Sequence, residues 1–66
     1  MTVTTITPTG KQRTTQVSKI REAGQIVAWT LADNVGITRK EATQLAMQAE
    51  KTGTLESHGY TFRISQ

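Results

Sequence analysis

The chain has no cysteine, one histidine and one proline, and its aromatic residues are a single tryptophan, a single tyrosine and a single phenylalanine. Without cysteine there is neither a disulfide nor a thiolate zinc site, and one histidine cannot replace that ligand set. The five acidic residues stand at no spacing that pairs them for acid–base work. "GKQRT" supplies a lysine without the glycine pattern of a nucleotide-binding loop. An enzyme is therefore the least expected class, and no metal or cofactor is expected. Apolar runs extend only a few residues, far short of the ~20 that cross a bilayer, and Met1 to Thr15 lacks the apolar middle of a signal peptide. A cytoplasmic protein without a membrane partner is expected.

What is present is a small basic domain. Its 66 residues carry a net charge of +3, and a chain of that size buries only about 60% of its unfolded surface. Stability must come from a small packed core, a partner or a second copy. Lys11, Arg13, Lys19 and Arg21, against Glu22, place the basic bias toward the front. Such a segment can neutralise nucleic-acid phosphates or anionic head groups, or can simply be a solvated tail.

Residues 1–14 read as a basic, threonine-rich arm with only Val3 and Ile6 as sizeable apolar side chains. The arm is either disordered or paired over Val3 to Thr7 as an edge strand that Pro8 ends. Beyond it, residues 15–66 read as the folded domain. A first helix is expected over Thr15 to Ala23, with Ser18 as a cap candidate and Gly24 as its stop. "QIVAWTLADNV" reads as a second, with Ile26, Val27, Thr30 and Leu31 on its apolar face and Trp29 as a large anchor half covering the core. Gly36 falls where a helix end turns left-handed. Thr38 with Glu41 three residues on makes "TRKE" a capping box for a third helix. That helix runs to about Lys51, buries Ala42, Leu45, Ala46 and Ala49, and stops at Gly53.

Helix, glycine corner, Ile37 as a plug, capping threonine and helix form the order in "LADNVGITRKEATQLA", which resembles the helix-turn-helix family of DNA-binding domains. It departs from that family at Ala42, where a bulkier Val or Ile is common. The resemblance implies that Thr38, Arg39, Lys40, Thr43 and Gln44 point into the major groove. Arginine, glutamine and threonine there suit guanine, adenine and thymine. Gln48 and Lys51, further along, would reach phosphates more readily than bases.

In the tail, Tyr60, Phe62 and Ile64 alternate with Thr61 and Arg63, the period-2 pattern of a half-buried strand. Leu55 lies in a shorter strand, and "SHG" with Gly59 forms the tight turn between them. This hairpin resembles the wing of winged helix-turn-helix domains, which implies that Ser57, His58 and Arg63 lie near DNA; Lys11 and Arg13 of the basic arm are expected on the backbone by their charge. The fold expected is α+β: a small three-helix helix-turn-helix domain with a C-terminal β-hairpin wing, of the phage or mobile-element regulator and excisionase-like type.

Two functions of different class follow. One is sequence-specific binding of double-stranded DNA as a small transcriptional regulator or architectural factor, with a homodimer or cooperative assembly expected because one short helix makes few base contacts. The alternative is a protein-binding module that inhibits or recruits a larger host protein as its partner, for which the third helix's net charge of only +1 and the exposed edge of the hairpin, able to pair with a partner strand, are the arguments.

Overall fold

The computed structural model describes residues 1–65. Two helices lie on one face of a four-stranded antiparallel sheet, in the order β1 (Thr2–Ile6), β2 (Gln12–Gln16), α1 (Ile20–Val35), α2 (Arg39–Thr52), β3 (Thr54–Ser57) and β4 (Tyr60–Ser65). The strands stand side by side as β2-β1-β4-β3. This corrects the three-helix winged domain expected from sequence, and the difference has three local causes.

The first concerns Gly24. It does not stop a helix but sits buried in the second turn of α1. A Cβ there would meet the Glu50 side chain of α2, whose Cγ lies only 2.9 Å away. The glycine leaves room for the Glu50 side chain to lie across α1, and the helix continues through it despite a helix cost of about 1 kcal/mol. The two expected front helices are thus one.

The start of α1 follows from Glu22. Lys19, not Ser18, is the N-cap, and the Glu22 carboxylate accepts from the backbone N–H groups of Ser18 at 3.1 Å and Lys19 at 3.0 Å. Thr15 and Gln16, assigned to a helix by pattern, instead belong to β2.

The third cause is the fate of the front segment. Its β-branched residues form an inner strand, because Val3 and Thr5 of β1 face the helices and are buried while Thr2, Thr4 and Ile6 face outward. On one side β1 pairs with β2 (Thr5 with Arg13), and on the other with β4 (Thr5 with Phe62). The boundary expected between residues 14 and 15 therefore falls inside β2. β3 and β4 form the expected hairpin, but as half of this sheet and not as a free wing.

The corner between the helices has the left-handed glycine and the capping threonine that the sequence implies, but only the threonine half of the expected capping box, because no Glu41 carboxylate bond to the Thr38 N–H accompanies it. Gly36 is left-handed (φ 77°, ψ 26°), Thr38 Oγ1 accepts from the Glu41 N–H at 3.2 Å, and α2 ends on left-handed Gly53. A Cβ at Gly36 would touch nothing within 4 Å, so any cost of substitution is purely conformational. Gly36→Val should destabilise the fold by about 2 kcal/mol, and Gly36→Asn by less. Urea unfolding followed by circular dichroism measures both. Equal stability of the valine variant would show that the corner does not need a left-handed residue.

The core lies between α1, α2 and the β1-β4-β3 side of the sheet. Val27, Leu31, Ala49, Leu55 and Phe62 form its centre, with Val35, Ile37, Leu45, Tyr60 and Ile64 packed around it. Alanines at 42, 46 and 49 let α2 lie close to α1. Trp29 is not part of the core: it is 62% exposed.

Candidate functional site

On α2, Ala42, Ala46 and Ala49 face inward, and the 3.6-residue period puts Lys40, Gln44, Met47 and Lys51 on the opposite, solvent side. Thr43 and Gln48 flank that line, and all six are exposed. The two carboxylates of α2 stand off it. Glu41 lies on one flank, and Glu50 on the other, where its side chain covers Gly24 of α1. The central line thus carries two ammonium groups and no carboxylate. Counting charges over the whole helix gives +1 and understates the bias of this surface.

Chain direction decides which of the sequence-selected residues come together. α1 runs toward the hairpin tips, because Asp33 and Asn34 of its last turn share a cleft with Thr7, Lys11 and Tyr60. α2 runs back and ends at Gly53, whose carbonyl accepts from the Ile64 N–H at 2.9 Å. Thr38, Arg39 and Lys40 therefore begin α2 at the tip end, where Ser57 and His58 also lie. The β3–β4 turn there has φ 53° at His58 and φ 83° at Gly59, both central residues being left-handed as in a type I′ turn. Ser57 Oγ lies 2.6 Å from His58 Nδ1, and a Cβ at Gly59 would meet the Pro8 ring of the other hairpin at 3.0 Å. The two tips lie side by side.

Three selected residues lie elsewhere. Arg63 follows buried Phe62 in β4 and so points out of the sheet face away from the helices, opposite Thr4 and Thr54. Lys11 and Arg13 lie along the β2 side, while α2 packs on β3 and β4. They line a half-open cleft of about 590 Å³ between the front hairpin and α1, with Trp29, Ile26 and Asp33 on the helix wall. Sequence reading did not single out this cleft; the one available signal was the i, i+3, i+7 spacing of Ile26, Trp29 and Asp33 along α1.

Among the described residues no group of three or more His, Asp or Glu side chains could hold a metal ion, and no helix is long and apolar enough to cross a membrane. Compared with protein-family models, with curated proteins and with solved structures, the chain matches none of them.

Proposed function

We propose that the protein binds double-stranded DNA through the exposed face of α2, as a small transcriptional regulator or architectural factor. The observation that supports this reading is the carboxylate-free line Lys40, Gln44, Met47 and Lys51, flanked by Thr43 and Gln48. Lysines at its two ends suit two phosphate positions, while Gln44 and Thr43 between them offer amide and hydroxyl groups to base edges. Arg39, at the start of the helix, can bond two guanine acceptors at once. Met47 in the middle of the line presents an apolar surface to a thymine methyl.

Arg39→Ala should cost about 1–3 kcal/mol on a selected site and relax the preferred sequence. Lys11→Ala and Arg13→Ala, on the far side of α1, should weaken all sequences slightly and alike. Selection of tight binders from random duplexes, followed by titrations across a salt series, distinguishes these effects. Equal losses from all three variants on every sequence would remove α2 from the recognition role.

A second reading rests on one observation. Met47, 62% exposed, adjoins Ile20, 39% exposed, in an apolar strip at the seam of the helices. Such a strip suits a protein partner. No duplex binding at low salt, in a protein whose α2 is folded, would make this the leading function.

A further inference from the structure

β2 is an edge strand of five residues whose one charge is Arg13, and its free side is paired with no strand. Thr7 N–H donates to the Lys11 carbonyl at 2.8 Å, and Val17 N–H to the Met1 carbonyl at 2.9 Å. Bonded pairs recur every second residue in an antiparallel ladder. Lys11, Arg13, Thr15 and Val17 therefore turn their backbone groups toward β1, and Gln12, Thr14 and Gln16 turn theirs outward to no strand. No proline or bulge blocks that side, although edge strands commonly carry one.

We propose that a second copy of this chain pairs with β2 in antiparallel register about Thr14, joining the two sheets into one. Gln12 then lies opposite Gln16, Thr14 opposite itself and Gln16 opposite Gln12. Each of these pairs exchanges an N–H and a C=O, so every outward backbone group of the strand finds a partner. The register also keeps the two arginines from pairing directly, leaving them diagonal neighbours. Arg13, which alone among the β2 residues could repel a like strand, comes opposite Thr15 of the other copy.

The second observation is Trp29. A two-fold axis through paired antiparallel strands stands perpendicular to the sheet, so the helices of both copies lie on the same side. α1 sits over β1, and two β1 strands separated by both β2 strands are roughly 14 Å apart. Helices in direct contact approach to about 8–10 Å. Large side chains must fill the difference, and Ile26 and Trp29 project from α1 toward that gap. The one exposed tryptophan of the monomer becomes the cover of the seam.

A consequence for DNA rests on the function proposed above, whereas the dimer does not. α2 lies over β3 and β4, so strand spacing sets the two α2 helices roughly 30 Å apart. Successive major grooves on one side of a duplex are about 34 Å apart.

The test needs no DNA. Sedimentation of the whole chain over a dilution series should give twice the 7.3 kDa of one chain, falling to one chain on dilution. Trp29 emission should shift to shorter wavelength as the dimer forms. Thr14→Pro removes an outward N–H without touching the β1 ladder, and Thr14→Lys sets two ammonium groups face to face at the axis. Both should sediment as one chain with an unchanged circular dichroism spectrum. A wild-type chain that remains a monomer at every concentration overturns the proposal. So does a dimer that survives Thr14→Lys, or one whose Trp29 emission stays that of a water-exposed indole.

Discussion

Phe62→Ala is expected to leave the protein largely unfolded at 37 °C. Phe62 is fully buried, sits between Thr5 of β1 and Leu55 of β3, and stacks on Tyr60 with ring centroids 6.1 Å apart at 13°. It is the largest fully buried side chain. Truncation removes its transfer free energy and leaves a cavity that strands on both sides hold open, a loss of about 3–5 kcal/mol. A domain this small has stability near the low end of 5–15 kcal/mol, so the loss is comparable to the whole. Tyr60→Phe, which keeps the stacked ring, should change stability by less than about 1 kcal/mol. Far-UV circular dichroism during urea unfolding reads both. An alanine variant within about 1 kcal/mol of the parent would mean that the core is centred elsewhere.

Charge reversal on α2 should have the largest functional effect. Lys40→Glu with Lys51→Glu turns the carboxylate-free line into an acidic one. Both lysines are exposed and such surface changes usually alter stability by less than about 0.5 kcal/mol. Loss of two phosphate contacts should lower duplex affinity by roughly a hundredfold at low salt and flatten the slope of log affinity against log salt by about 2. Sequence preference, carried by Arg39, Thr43 and Gln44, should persist in whatever binding remains. Unchanged affinity and slope would place the phosphate contacts off α2, with Lys11 and Arg13 as the next residues to reverse.

These expectations depend on how the two helices are placed, and local sequence carries part of that placement. The corner was legible because its chemistry is local: only glycine enters the left-handed region at position 36 without cost, and Thr38 caps the residues immediately after it. The β3–β4 hairpin was legible for the same reason, its alternation and its His58–Gly59 turn lying within a dozen residues. The stripe of small and apolar residues on α2 marks its buried face and, by the helical period, its exposed one, so Lys40, Gln44 and Thr43 follow from the pattern of that one segment, whereas Arg39, seven residues before buried Ala46, is exposed only because it lies in the first turn.

Other features depended on partners far along the chain. Gly24 carries two meanings, helix stop and close contact, and only Glu50 lying across it decides for the second. Threonine-rich β1 has too few large apolar residues to signal an inner strand, yet Phe62 and Arg13 on either side make it one. Trp29 has the spacing of a core anchor, but α1 rotates Val27 and Leu31 inward and leaves the indole over the cleft beside β2. The sequence by itself determined the glycine corner, the caps of α2, the closing hairpin and the basic, cysteine-free surface, because each depends on residues near one another in the chain. The tertiary structure alone decided the number of helices, the order of the strands and the position of Trp29, because these follow from contacts between residues distant in sequence.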